Sequence, residues 1–301
     1  MPWPTAFTDL LGCRHPLQQA AMAGMLNADL AVAVAAAGGL GMVSGMVGGS
    51  PLAAQLDGVP DGAAVGVNFL VPFIDPAAVE VAAARAAFVE FFWGAPSAEL
   101  VRRGQAGGAR VAWQIGSLDE ARAAADAGCD LVIVQGLEAG GHVRGTVALL
   151  PLLDEVRGQV QLPLVAAGGI GSGRAMAAAL LAGADAVRVG TRFLAAPEAA
   201  AHPDYVDALI HADPEDTVLT TAFGDGWPDA PHRVLRSCVD AGEALGDAQT
   251  WTPQWPTTAD AAPVDARALY AGQSVTWVRA RQPAGDIVAE LVSEAARCLP
   301  R

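Results

Sequence analysis

Short apolar runs alternate with alanine-rich segments through the first 190 residues of the chain. Each run has four to six residues, and the clearest, Leu-Val-Ile-Val at 131–134, is the continuous β-branched pattern of a fully buried strand. The predicted strands are 17–22, 41–44, 65–70, 88–92, 110–114, 131–135, 164–167 and 186–189. Their starts recur at roughly 20 to 30 residues, the length of one strand–helix unit. Eight such units predict an α/β fold, a closed (β/α)8 barrel, with a doubly wound open sheet as the alternative.

The segments between these runs carry helix start and stop signals. Ser117 and Glu120 have the spacing of a capping box, and an Asp-Pro pair at Asp75 begins another helix. Several predicted helices end at a glycine, as at Gly128 and Gly183. Helices therefore alternate with strands, as the barrel requires.

The pattern changes after Thr191. Residues 195–236 contain five prolines and are predicted to form a long loop with short helices, a lid over the last strand. Residues 1–240 are accordingly one barrel domain with this insertion. Residues 241–301 are predicted to be a C-terminal extension packed on the barrel, because about 60 residues have little core of their own.

Glycines follow the last two predicted strands. Gly168, Gly169, Gly171 and Gly173 precede a helix predicted at 174–182, and exposed N–H groups at a helix start attract an anion. Gly190 and Thr191 end the final strand, and the loops after strands seven and eight form the common phosphate site of such barrels. These residues predict a phosphate cradle. Arg188, inside the final strand, either neutralises a phosphate or pairs with a buried acid such as Asp185.

One histidine lies beside these glycines. His142 follows the sixth strand, and an imidazole titrates near neutral pH and moves protons, which makes His142 the candidate base. His232, in the long loop, is a candidate for entering the same pocket. Glu138 is predicted to anchor the Gly140–Gly141 loop through backbone N–H groups.

Three amides also come at strand ends. Asn68, Gln114 and Gln135 are expected to project together toward the barrel mouth, since parallel strands end at one rim. An amide both donates and accepts hydrogen bonds, as the edge of a flat heterocycle requires.

Composition narrows the function. The chain has 301 residues, of which 52% are hydrophobic, and a net charge of −14, so nucleic acid and anionic membranes are not expected partners. There is no lysine, which excludes Schiff-base chemistry. The four cysteines form no C-x-x-C pair, so no metal site is expected. The first residues lack a signal-peptide pattern, which favours a cytoplasmic location.

Three motifs together resemble the nitronate monooxygenases, a family of FMN-dependent TIM barrels. They are Gln-Gly-Leu-Glu-Ala-Gly-Gly-His at 135–142, Ala-Ala-Gly-Gly-Ile at 166–170 and Arg-Val-Gly-Thr-Arg-Phe at 188–193. The similarity runs from about residue 18 to about residue 236. The resemblance implies FMN as cofactor and O2 as co-substrate. The implied reaction oxidises an alkyl nitronate or nitro compound to a carbonyl compound and nitrite.

The resemblance also implies roles for residues. His142 corresponds to the catalytic base, which deprotonates or orients the nitro compound. Together with the strand-end pattern, the cofactor-binding residues are Ala21, Met22, Asn68, Gln114, Gln135, Gly140, Gly141, Gly168, Gly169, Arg188, Gly190 and Thr191. The candidate substrate-pocket residues are Met25, Phe69, Trp227 and His232.

The departures from the family pattern fall mainly on the substrate side. No proline precedes Met22, and the loop 221–236 is longer and richer in Trp and Pro. The first alternative is therefore an FMN-dependent NAD(P)H reductase of the enoyl-acyl-carrier-protein or quinone type on the same barrel. A flavin-free phosphate-binding isomerase or lyase is the second, and a non-catalytic binding protein the third. The apolar tail with Trp251 and Trp255 is a candidate homodimer contact.

Overall fold

Eight parallel strands close into a barrel in the computed structural model, which describes residues 3–22, 27–246 and 251–299. The barrel strands are β1 (Leu17–Gln19), β2 (Gly41–Ser44), β3 (Val65–Leu70), β4 (Phe88–Phe92), β5 (Arg110–Ile115), β6 (Leu131–Gln135), β8 (Leu164–Ala167) and β9 (Ala186–Val189), with β7 (Gly141–His142) outside the barrel. Their order is β1-β9-β8-β6-β5-β4-β3-β2, and a parallel bridge between Gln18 and Leu40 joins β1 to β2. The predicted (β/α)8 barrel is confirmed. The first strand is shorter than predicted and ends at Gln19.

Helices cover the outside of the barrel. They are α1 (Ala6–Leu11), α2 (Asp29–Ala36), α3 (Gly49–Asp57), α4 (Pro76–Arg85), α5 (Ala98–Gln105), α6 (Leu118–Asp126), α7 (Leu149–Arg157), α8 (Gly173–Leu181), α9 (Pro203–Ile210), α10 (Arg236–Leu245) and α11 (Ala284–Cys298). The hydroxyl of Ser117 accepts from the backbone N–H of Glu120 and caps α6, as its position predicts. None of the helices in the described ranges is long and apolar enough to cross a membrane.

The C-terminal helix α11 packs against α8 and α2. Arg192, which follows β9 and is 6% exposed, donates to the carboxylate of Glu290 on α11 at 2.6 Å and to the carbonyl oxygen of Gly171 at 2.9 Å. One buried guanidinium thereby joins this helix to the loops after the last two barrel strands.

A hairpin of β10 (Thr217–Thr220) and β11 (His232–Leu235) lies within the segment after β9. The sequence pattern indicated only a loop with short helices there, so the hairpin corrects that prediction. β11 also pairs antiparallel with β7, which sets His232 directly opposite His142. β7, β10 and β11 together form a small three-stranded sheet, and the rest of the segment after β9 contains the predicted short helices, α9 among them.

Candidate active site

A cavity of about 450 Å³ opens at the carboxyl ends of the barrel strands. All twelve predicted cofactor-binding residues line it: Ala21, Met22, Asn68, Gln114, Gln135, Gly140, Gly141, Gly168, Gly169, Arg188, Gly190 and Thr191. His142 and Trp227 line it as well. Residues from distant parts of the sequence meet there because the parallel strands end at the same rim.

Gln135 fixes the loop that carries His142. Its Nε2 donates to the carbonyl oxygen of His142 at 2.8 Å, and its Oε1 accepts from the backbone N–H of Arg144 at 3.0 Å. Both ends of the amide are therefore engaged by backbone groups. The side chain positions the histidine loop rather than presenting a free amide to the cavity.

Aromatic rings surround His142. The indole of Trp227 stacks on the imidazole with ring centroids 4.2 Å apart and 28° between the planes. Trp93, His232 and Tyr270 contact it at centroid distances of 5.8, 5.2 and 5.8 Å. Trp93 is held at φ 64°, a left-handed conformation that costs a non-glycine residue about 1–2 kcal/mol. Such strain at the end of a barrel strand is typical of a functional site.

Burial keeps His142 neutral. Desolvation, and to a smaller degree the imidazole of His232, lowers the pKa of His142 to about 3. Its Nε2 and the hydroxyl oxygen of Tyr270 are buried and have no hydrogen-bond partner within the described residues. The site therefore holds an uncharged imidazole and a phenol whose polar atoms are shielded from solvent and still have unused hydrogen-bonding capacity.

Two of the four predicted substrate-pocket residues, Phe69 and His232, do not line the cavity. Phe69 is 1% exposed and stacks on Phe91 in the layer between strands and helices, because successive residues of β3 face opposite sides and Asn68 takes the inner one. His232 is fully buried behind His142 with its Nδ1 3.0 Å from the carbonyl oxygen of Ala230. Met25 falls outside the described ranges.

A buried polar network forms the floor of the cavity. The carboxylate of Glu90, fully buried, accepts from Arg188 at 2.5 Å, from Asn68 at 2.8 Å and from Gln18 at 3.2 Å. Arg188 also donates to Oε1 of Gln114 at 2.6 Å. The charge of Arg188 is thus balanced within the floor.

This network corrects one prediction, the buried acid that pairs with Arg188, and adds one residue to the site. The partner of Arg188 is Glu90, whereas Asp185 pairs with Arg157 at 3.3 Å. Glu90 was not among the predicted site residues, although a single acid inside the apolar run 88–92 was a visible signal, since a buried charge requires a partner.

The glycine cradle is smaller than predicted. Gly168 and Gly169 have φ of 113° and 69°, and their N–H groups bond to no other described residue. In contrast, the N–H of Gly173 donates to the carboxylate of Glu294 at 2.7 Å, and Gly171 packs against Ser274 and Trp277. The start of α8 is thus capped by an acid of α11, and any anion must bind nearer Gly168 and Gly169.

Glu138 also differs from its prediction. Its carboxylate accepts from the backbone N–H of Leu149 at 3.0 and 3.1 Å, and so caps the start of α7 rather than the Gly140–Gly141 loop. Gly140 is fixed by close packing instead, because a Cβ there would collide with the backbone of Gly272.

A family model supplies the decisive comparison. The model described as nitronate monooxygenase matches residues 61–294. The chain belongs to the nitronate monooxygenase family. The resemblance inferred from the three motifs is confirmed.

The similar proteins include both nitronate monooxygenases and carboxyl-CoA dehydrogenases. The nitronate monooxygenase of Pseudomonas aeruginosa is 32% identical over 96% of this chain and 98% of that protein. The Mycobacterium tuberculosis (3aS,4S,5R,7aS)-5-hydroxy-7a-methyl-1-oxo-octahydro-1H-indene-4-carboxyl-CoA dehydrogenase is 39% identical over 77% of this chain. The chain spans only 66% of the length of that dehydrogenase.

Two solved structures share the fold at 30% identity. FabK from Thermotoga maritima superposes with a TM-score of 0.86 over 98% of this chain and 97% of the other. Nitroalkane oxidase from Streptomyces ansochromogenes superposes with a TM-score of 0.82 over 97% and 99%.

Proposed function

We propose that this family member is an FMN-dependent monooxygenase that oxidises an alkyl nitronate with O2 to a carbonyl compound and nitrite. The observation that carries the proposal is the neutral His142, with an unpaired Nε2, at the rim of a cavity whose other side is a glycine cradle. Family membership and the 32% identity to a nitronate monooxygenase over nearly the whole chain support it.

The residues at the cavity fit FMN. The N–H groups of Gly168, Gly169 and Gly190 bond to no other described residue and so remain available to an anion. The Thr191 hydroxyl oxygen accepts from the N–H of Gly272 at 2.9 Å, which leaves the hydroxyl proton to donate. The phosphate would be held by these groups and without a lysine. Bound FMN would supply two-electron oxidation of the substrate and reaction with O2.

His142 would orient the substrate rather than ionise it. A group whose pKa is about 3 is a weak proton acceptor at neutral pH. His142 would therefore remove a proton from a neutral nitroalkane only slowly. A preformed nitronate needs no such step. The imidazole and the Tyr270 hydroxyl would instead form hydrogen bonds to its oxygens. Trp227, stacked on the imidazole, would exclude water from that contact.

A second candidate is a reductase or dehydrogenase that acts on thioesters. The 39% identity to a carboxyl-CoA dehydrogenase favours it. The same cavity floor and glycine cradle would bind the cofactor in the monooxygenase and in the reductase or dehydrogenase. The two candidates differ in the molecules that donate electrons to the cofactor and accept electrons from it.

Product analysis separates the two candidates. The purified protein is incubated with propyl-2-nitronate in air, and O2 consumption and nitrite release are measured, with NADPH plus a short enoyl thioester as the parallel assay. Nitrite formed without a nucleotide supports the monooxygenase. NADPH consumption that depends on the thioester, with no nitrite from the nitronate, contradicts the monooxygenase and selects the second candidate.

A further inference from the structure

We propose that the substrate carries a planar apolar ring next to its reacting group, so that an arylalkyl nitronate is preferred over a small alkyl nitronate. The juxtaposition that carries this inference is an apolar wall, formed by Met46, Leu70, Phe73, Phe92 and Trp227, beside the imidazole of His142. The inference rests on the proposed function for the reaction, but its evidence is the shape and chemistry of the wall.

The wall is separate from the glycine cradle. Leu70 and Phe92 end β3 and β4, Met46 and Phe73 follow β2 and β3, and Trp227 lies in the connection between β10 and β11, whereas the cradle follows β8 and β9. In the barrel order, β2 to β4 are neighbours and lie apart from the β9-β8 pair. A cofactor whose phosphate is held by the cradle and whose ring reaches Asn68 in β3 leaves the outer members of the wall, Met46, Phe73 and Trp227, to the substrate.

The outer part of the wall is an exposed apolar surface. Met46 is 41% exposed and Phe73 is 42% exposed, and both line the cavity. Large apolar side chains left in water at the mouth of a cavity are typical of a surface that a ligand covers. A nitronate with only two or three carbons would leave both side chains exposed.

The inner part of the wall is aromatic. Trp227 lies flat on His142 at 4.2 Å and meets Phe73 edge-on at 5.1 Å. It also meets Trp93 edge-on at 4.8 Å. These are the stacked and T-shaped arrangements that rings adopt with one another. A planar ring on the substrate can join this cluster at the cavity side of Trp227 and Phe73, next to the imidazole.

The wall offers no partner for a charged tail. The charged side chains that line the cavity are Arg188 and Asp225 among the described residues. Arg188 is already paired with Glu90 and Gln114 in the floor, and Asp225 repels anions. A carboxylate or phosphate on the ring side of the substrate would lose its hydration without gaining a cation. The group that contacts the wall is therefore uncharged.

The test compares phenylmethyl nitronate with ethyl nitronate, using the FMN-loaded protein. We expect kcat/KM to be at least about tenfold higher for the aryl substrate, and Trp227→Ala or Phe73→Ala to bring that ratio close to one. Leu181→Ala removes an apolar side chain that is 62% exposed outside the cavity, and it should leave the ratio unchanged. Equal kcat/KM values in the wild type would overturn the inference.

A binding measurement keeps this test independent of turnover. Calorimetric dissociation constants of 1-nitronaphthalene and nitroethane are compared in wild type and in Phe73→Ala. Tighter binding of the aromatic compound by at least about tenfold, largely lost in the variant, supports the inference even when no nitronate is oxidised, in which case only the proposed function fails. Equal affinities contradict the inference whatever the turnover.

Discussion

The buried pair of Glu90 and Arg188 gives a sharp energetic prediction. Glu90→Gln keeps the size of the side chain but removes its charge, while Arg188, 8% exposed, stays charged. The Gln114 oxygen at 2.6 Å then remains as an uncharged partner of the guanidinium. Breaking one partner of a buried ion pair costs about 3–5 kcal/mol. We expect the free energy of unfolding to fall by about 3 kcal/mol, the lower end of that range, because the new amide still accepts one hydrogen bond.

The assay is urea unfolding followed by circular dichroism at pH 7. Asp57→Asn is the matched control, because Asp57 pairs with Arg85 at 2.7 Å but its side chain is 71% exposed. Solvent-exposed ion pairs contribute about 0–1 kcal/mol to the free energy of unfolding, so Asp57→Asn should change it little. The double variant Glu90→Gln with Arg188→Met should recover at least half of the loss, since the stranded charge is gone. A loss for Glu90→Gln no larger than that for Asp57→Asn would refute the reasoning.

Three further predictions concern the histidine and the loops around it. The pKa of His142 is lowered to about 3 in the folded chain from an ordinary 6.5, so its contribution to stability is complete above pH 6.5 and is lost as the pH falls toward 3. Between pH 6.5 and pH 5 the free energy of unfolding of the wild type, measured with urea, should fall by about 2 kcal/mol more than that of His142→Phe. The same dependence of the unfolding free energy on pH in both proteins would contradict this. Gly169→Ala, at φ 69° and with its Cβ 3.2 Å from the Cβ of Glu138, should weaken FMN binding about tenfold by fluorescence titration. Gly62→Ala, at φ 74° in open space, is its control and should bind FMN normally. Gln135→Leu strands two backbone groups of the His142 loop and should lower kcat/KM about tenfold. The control Gln105→Leu, which loses a bond to the Gly128 carbonyl oxygen, should not lower it, and equal kinetics for both variants would remove the positioning role of Gln135.

Local patterns predicted the barrel well. A continuous apolar run marks a strand buried on both faces, and strands β2, β3, β4, β6, β8 and β9 have the predicted bounds. The amides Asn68, Gln114 and Gln135 followed from the same logic, because the ends of parallel strands share one rim, whereas Ala21 and Met22 came from the family resemblance. The motif around His142 then supplied the family.

The misses arise from contacts between distant parts of the chain. Ser172 caps α8 locally by accepting from the N–H of Ala175, but the N–H of Gly173 is bound by Glu294, 121 residues away, and no local pattern predicts which distant carboxylate reaches a helix start. The hairpin of β10 and β11 depends on pairing with the two-residue β7. Phe69 was misplaced by one position, and because side chains alternate along a strand, that step moves a residue from the barrel interior to the helix layer.

The central claim is that the chain binds FMN and that a nitronate reduces it. The most direct measurement is the visible spectrum of the purified, FMN-loaded protein without oxygen, before and after addition of propyl-2-nitronate, with NADPH added to a second sample. We expect the flavin band to be bleached by the nitronate and to be unchanged by NADPH. A protein that binds no FMN, or whose flavin is bleached by NADPH and not by the nitronate, would contradict it.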